Sequence, residues 1–324
     1  VEATLEFYRR SDEKIQLRKD LNTNYKLGCI NYSDTKIGEQ LMLKLYCRKT
    51  GKDYKEVKES RTYRTNIDLS RCVFDYINFR SDEFNAILNT FKGKKISKLK
   101  GEINESVIFK GFKYDYGSGG IHGCIKAGVY DSDEDYTIID IDVASLYPSI
   151  AIVNKLYPQH LGKEFCDVYE NEIIKPRLKA KKEGNKVLSD GLKLSANSVY
   201  GKSNDIFSFL MDSAYTARTT INGQLMLSML AEDLVLEIED LTMLQINTDG
   251  LTVKILKTDE DKLHNICKSW ENKTNLILEY VTYDKMIIRD VNNYCARTVD
   301  GKIKNKGAFE IDKMVGSERA YHKN

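Results

Sequence analysis

The sequence predicts an α+β fold, an antiparallel sheet covered by helices, and three patterns predict it. Tyr136-Thr-Ile-Ile-Asp-Ile-Asp-Val143 is an apolar, β-branched run of strand length, the mark of a buried strand. Met243 to Ile255 sets two apolar alternating runs either side of Asp249-Gly250, a short-range hairpin signal. Ala214 to Glu237 reads as a long helix with an apolar face of Leu225, Leu227, Leu230 and Leu234, suited to packing beneath a sheet.

Composition bounds what such a fold can do. The 324 residues leave room for two or three domains and a large core. With 41% hydrophobic and 30% charged residues, the chain falls in the ordinary globular class. A net charge of +2 is nearly balanced, so any grip on a polyanion must come from local patches. The seven cysteines are scattered with no CxxC pair. That pattern argues against a zinc site or a disulfide framework and fits a reducing cytosol. No apolar run reaches membrane-spanning length and no signal peptide is recognisable, so no membrane partner is expected. The chain opens on Val1 instead of Met, which reads as a fragment.

In chain order, Asn31 to Tyr46 has apolar residues at Ile37, Leu41 and Leu45, an amphipathic helix led by a Ser or Asp cap. Lys92 to Lys100 is a basic run, either solvated surface or a face for phosphate. Tyr116-Gly-Ser-Gly-Gly-Ile-His-Gly123 packs four glycines into eight residues, which calls for positive φ or close backbone approach. His122 within it reads as structural. In the central strand, alternation puts Asp140 and Asp142 on one face and Ile139 and Ile141 on the other. Two carboxylates leaving a buried strand need a positive partner, and a divalent metal is the simplest. Ser145 to Ser149 then reads as a turn in which Pro148 ends the strand.

Residues 167–203 read as two helices joined at Glu183-Gly-Asn185. Arg177 and Lys181, four apart, share a face of the first. Lys193, Asn197, Tyr200 and Gly201 form one stripe of the second, too polar to be a core face and so turned toward a polar ligand. Thr258 to about Lys273 is a capped helix, and Leu276 to Ile288 is strand-like. Asn292 to Ala296 and Lys302 to Gly307 flank the turn at Asp300-Gly301.

Asp142-Val-Ala-Ser-Leu-Tyr-Pro-Ser-Ile150 resembles the first catalytic motif of the family B DNA polymerases. Lys193-x3-Asn197-Ser-x-Tyr200-Gly201 resembles their fingers motif, with Arg177 and Lys181 its companion pair. Asn247-Thr-Asp249 resembles their Asp-Thr-Asp, with Asn in the first place. The three occur in the family's order, and the resemblance covers roughly residues 105–310. It implies a right-hand palm of antiparallel sheet and helices with a two-helix fingers hairpin. The domains would be 1–104, the C-terminal part of an RNase H-like exonuclease region and a linker; 105–166 and 205–312, palm; 167–204, fingers; and 313–324, the start of a thumb. Asp34 matches either the last metal-binding Asp of that exonuclease or a helix cap.

The implied reaction is template-directed addition of deoxynucleotides to a primer 3′-hydroxyl, with two Mg²⁺ ions held at Asp142, Val143 and Asp249. The amides of Ser145 and Leu146 would cup the triphosphate, and Tyr147 would exclude a 2′-hydroxyl. Arg177, Lys181 and Lys193 would neutralise the phosphates, Lys193 also protonating pyrophosphate. Asn197 and Tyr200 complete the nucleotide site. Gly119, Gly120 and Gly201 would touch DNA, the first two on the template unless their loop is only a tight turn. Tyr294, Lys304 and Lys306 match a primer-gripping hairpin in which Asn292 and Asn293 stand for lysines. Gln224 stands where the family has Arg. The implied partners are primer–template DNA, a deoxynucleoside triphosphate and other replication proteins. Compact spacing resembles bacteriophage enzymes, which implies the cytoplasm of an infected bacterial cell. Two other readings stand: a degenerate palm that binds DNA without extending it, and an RNA-dependent polymerase, whose hairpin usually ends in Asp-Asp.

Overall fold

The computed structural model describes residues 2–310, so the expected thumb segment 313–324 lies outside the described residues. The chain forms two compact units, one from residues 1–67 and 147–219, the other from 68–146 and the described residues from 220 onward.

The helices expected near 31–46 and 214–237, the strand at 136–143 and the hairpin at 243–255 are present, whereas the helix at Glu2–Tyr25 and four strands between 104 and 131 were not expected. Helices α1 (Glu2–Tyr25), α2 (Asp34–Thr50) and α3 (Tyr54–Glu59) come first, and Ser33 caps α2 by accepting from the Lys36 amide. A two-residue strand, β1 (Ile67–Asp68), pairs with another, β2 (Lys95–Ile96), around α4 (Asp82–Gly93). The strands β3 (Asn104–Phe109), β4 (Phe112–Gly117), β5 (Gly120–Cys124), β6 (Gly128–Asp131) and β7 (Tyr136–Val143) follow. Next are α5 (Leu146–Val153), α6 (Glu164–Val168), α7 (Lys175–Lys182), α8 (Lys186–Lys202) and α9 (Ser213–Glu237). The hairpin β8 (Thr242–Asn247) and β9 (Gly250–Leu256), then α10 (Glu260–Thr274), β10 (Leu278–Asp290), β11 (Asn293–Thr298) and β12 (Ile303–Asn305), complete the chain.

One ten-stranded sheet organises the second unit, in the order β12-β11-β10-β7-β9-β8-β5-β4-β3, with β6 also on β10. All its pairings are antiparallel. β7 lies inside because Ile138, Ile139, Ile141 and Val143 are all buried, leaving it no face for water. From Thr220 on, α9 is buried almost throughout, and in this unit Trp270 of α10 donates to the Met226 carbonyl at 2.7 Å.

In the first unit α2 and α8 approach closely. A Cβ at Gly38 would lie 2.2 Å from the Leu194 carbonyl oxygen, and Ser195 and Ser198 donate to the carbonyls of Gly38 and Thr35, each at 3.0 Å. Small residues here allow backbone contact, which turns the Lys193 stripe to the opposite, solvent-facing side of α8.

One local expectation changes and two gain detail. Pro148 does not end the strand: β7 stops at Val143, the chain turns at Ser145 with φ 51°, and Pro148 sits in the first turn of α5, where its missing N–H is harmless. The first helix of the 167–203 hairpin is not uniform. A π-helical stretch, Tyr169–Ile174, precedes Pro176, which has no amide to give the helical ladder. The glycines at 117–120 make a tight β4–β5 turn with Gly117 opposite Gly120.

Candidate active site

Two neighbouring strands deliver the acidic residues to one place. In the β7–β9 register Asp140 stands opposite Thr252 and Asp142 opposite Gly250. The Val143 amide donates to the Asp249 carbonyl at 2.8 Å, tying the end of β7 to the tip of the β8–β9 hairpin. The tip turns sharply, Thr248 taking φ 54°. Glycine is required beside it: a Cβ on Gly250 would lie 2.0 Å from Asp142 Oδ1 and 2.6 Å from the Ile141 carbonyl oxygen. The β5 turn buttresses the tip, the Thr248 amide donating to Ile121 at 2.8 Å with His122 Nε2 3.2 Å from its hydroxyl. Gly120 lies against Thr248, and Gln224 donates to the Gly117 carbonyl at 2.8 Å, so Gln224 serves this turn.

Asp140, Asp142 and Asp249 line one polar cavity of about 430 Å³, together with Tyr294, Lys304 and Lys306. The two carboxylates of β7 have different surroundings. Asp140 is buried and held by three donors: Thr252 at 2.6 Å, the Tyr283 hydroxyl at 2.6 Å and Lys304 Nζ at 2.9 Å. The positive partner expected for the strand-end carboxylates is therefore a lysine in the case of Asp140. Asp142 meets the same ammonium only at 3.7 Å.

Burial, Asp140 and Asp249 push the Asp142 carboxyl up to about 6 against the pull of Lys304. Burial likewise raises Asp249, against its own backbone hydrogen bond and the two lysines. Burial alone would lower Lys304, but Asp140 and Asp142, with the tyrosine oxygens, hold it well above the ordinary lysine range. Carboxylates whose charge is poorly compensated, facing a shared cavity beside the buried Gln245 Oε1, which meets no donor among the described residues, suit a hard divalent cation. Among the described residues no group of three or more Asp, Glu, His or Cys side chains is gathered for a metal, so the protein would supply two carboxylates and main-chain oxygen.

Asn247 is explained by its neighbours. Its Nδ2 donates to the Val291 carbonyl at 2.9 Å, a bond an ionised Asp could not make. Tyr294 is buried with its ring 6.0 Å from Lys304 Nζ, and the Lys306 amide donates to the Tyr294 carbonyl at 2.9 Å.

The helical unit carries its own constellation. Arg177, Lys181 and Lys193 line one hollow of about 300 Å³ between α7 and α8. Asn197 and Gly201 are exposed on the same side of α8 as Lys193. The rings of Tyr147 and Tyr200 stack at 3.8 Å and 19°. Asp34 opens α2 and accepts from Arg18 at 2.7 Å, which favours a helix-start role. Of the basic run, Lys94 pairs with Glu105 and the amides of Ser97 and Lys98 donate to Glu102.

Sequence reading missed Tyr283 and Thr252, which hold Asp140, and missed the inward turn of the Lys304 ammonium. Only the rule that a buried acid needs partners pointed there, without saying which residues would serve.

This arrangement is that of a polymerase-like fold. The chain is similar to the structure of the family B DNA polymerase from the hyperthermophilic archaeon Pyrobaculum calidifontis, with a TM-score of 0.50 and 14% sequence identity. The match covers 90% of this chain and 37% of that one, so the chain spans little more than a third of that polymerase's length. At this identity the likeness is one of fold. No family model and no curated protein matches the sequence. Among the described residues, no helix is long and apolar enough to cross a membrane.

Proposed function

We propose that this chain carries the palm and fingers of a template-directed DNA polymerase of family B type, of bacteriophage kind, acting on primer–template DNA and deoxynucleoside triphosphates. The observation that carries the reading is the delivery of Asp142 and Asp249, 107 positions apart, into one cavity by adjacent strands with glycine between them. Asp142, Asp249 and the Val143 carbonyl would hold Mg²⁺. When bound, the metal would lower the pKa of the primer 3′-hydroxyl and stabilise the leaving pyrophosphate.

The chain's own residues do the rest by position and charge, as phosphoryl transfer requires. The Ser145 and Leu146 amides cup phosphate oxygens. Arg177, Lys181 and Lys193 neutralise the triphosphate from the helical hairpin, with Lys193 donating a proton to pyrophosphate. Tyr147 blocks the 2′ position, while Tyr200, Asn197 and Gly201 give the new base pair a flat surface. The Gly119–Gly120 turn meets the template, and Tyr294 and Lys306 face the primer end, whose grip should weaken with salt. Other replication proteins and the cytoplasm of an infected cell belong to this reading.

Primer extension tests it. Extension by the full-length gene product should be lost in Asp249→Ala, and an unchanged rate would refute the assignment. Tyr147→Ala should admit ribonucleotides in the same assay; unaltered sugar discrimination would remove Tyr147 from that role. A second reading, a palm that binds DNA without extending it, draws on Asn247, which is fixed to Val291 and offers no second carboxylate. Salt-sensitive binding to primer–template without extension would select it.

A further inference from the structure

We propose that Lys304 is a resident cation that holds down the divalent-ion affinity of the free site, so that metal enters together with the triphosphate. The inference rests on reading Asp142 and Asp249 as metal ligands.

Three features make Lys304 a built part of the site. Its Nζ is 2.9 Å from Asp140 Oδ2 and 3.7 Å from Asp142 Oδ2, so the charge lies inside the acidic cavity. Asp140 is fixed by Thr252 and Tyr283 from the strands on either side, and it is buried. The ammonium cannot swing away without leaving that carboxylate short of a partner. Asp140 in turn gives three of its roughly four acceptor sites to these donors, which leaves Asp142 as the more open acid of β7. A lysine serving mainly as a phosphate contact would present its ammonium to solvent, whereas this one faces carboxylates.

The charge balance gives the consequence. Three carboxylates and two ammoniums line the cavity, so a lone divalent ion would reverse its net sign. A fixed positive charge a few ångströms from that ion opposes it, and even at nearly full water screening this lowers affinity by about tenfold. A triphosphate brings enough negative charge to turn the same ammonium into an attraction. Lys304 thus works against metal alone and in favour of metal with nucleotide. It is a positioning residue, acting through the field at Asp142.

The test is Mn²⁺ binding to the metal-free protein without nucleotide, read by electron paramagnetic resonance and calorimetry. Lys304→Gln and Lys304→Met should bind Mn²⁺ about tenfold more tightly than the unaltered chain, and Lys304→Arg within about twofold of it. A non-hydrolysable deoxynucleoside triphosphate should erase the gain. Gln keeps a donor for Asp140, so it decides the matter if Lys304→Met does not fold, as judged by thermal melting. Mn²⁺ binding that is lost in Asp249→Ala yet unchanged in Lys304→Gln overturns the role of Lys304 alone. Binding indifferent to Asp249→Ala overturns the metal-site reading and takes this inference with it.

Discussion

Gly250 shows how a residue without a side chain can fix where an acidic group stands. Its missing side chain is the space in which Asp142 stands, since a Cβ there would sit 2.0 Å from Oδ1 and 2.9 Å from the Asp142 Cα. The carboxylate could only turn away from its place in the cavity, and the backbone at Asp142 Cα and the Ile141 carbonyl oxygen, 2.6 Å away, cannot yield. On the proposed function, Gly250→Ala is therefore expected to cut primer extension by about a hundredfold or more, as displacements near 1 Å do in positioned chemistry. The thermal midpoint should fall with it; a variant with full extension would show that Asp142 need not stand where it does. The pattern Asp249-Gly250 was legible as a hairpin turn. The sequence held no sign that this glycine is needed for contact with β7, because contact across a sheet depends on register, and register follows from the whole set of strands.

At the scale of elements, the α2–α8 pair decides what the Lys193 stripe can do. α8 buries Ser195, Ala196, Ser198 and Val199 and leaves Lys193 and Asn197 in water. The expectation that this polar stripe avoids the core holds, and the reason is visible: small residues on the other side let α2 come to backbone distance. Gly38→Ala should force the helices apart and destabilise the protein by about 2 kcal/mol, the usual range for overpacking. Gly93→Ala at the end of α4, where a Cβ meets nothing within 4 Å, is the control and should be neutral or slightly stabilising. Equal thermal shifts in the two variants would show that the Gly38 contact is not tight. The break at Glu183–Asn185 was also legible, since Gly184 takes φ 73° as a helix end demands. The π-helical stretch before Pro176 was not, because proline marks a disturbance without saying how the ladder reforms.

For the whole molecule, the proposed function and stability pull in opposite directions at the acidic cavity. Most surface carboxylates with shifted pKa are held down by partners: Asp300 sits at about 2 through Lys302 and Thr298, and Asp284 is lowered by Arg297. Such groups add stability that is present above the ordinary carboxylate range and lost as pH falls. Asp142 has the opposite sign. Its folded pKa of about 6 lies above the unfolded value, so the native state binds more protons between the two. Stability from this group therefore falls as pH rises through that window, and the ionised form is a burden near neutrality. Without metal, Asp142→Asn should melt higher than the unaltered chain at pH 7, with the gap closing as pH approaches 4. A gap independent of pH would mean that Asp142 ionises as freely folded as unfolded.

The sequence by itself determined the alternation that put Asp140 and Asp142 on one face, the hairpin that carried Asp249, and the polar stripe of α8. These are local matters, fixed by periods of two and of about 3.6 residues and by the dihedral demands of glycine. Only the tertiary structure decided which acid of β7 is open and which is spoken for. The partners of Asp140 come from 112, 143 and 164 residues along the chain. No periodicity reaches so far, and the lone pairs of a buried carboxylate are allotted only once the strands beside it have found their register.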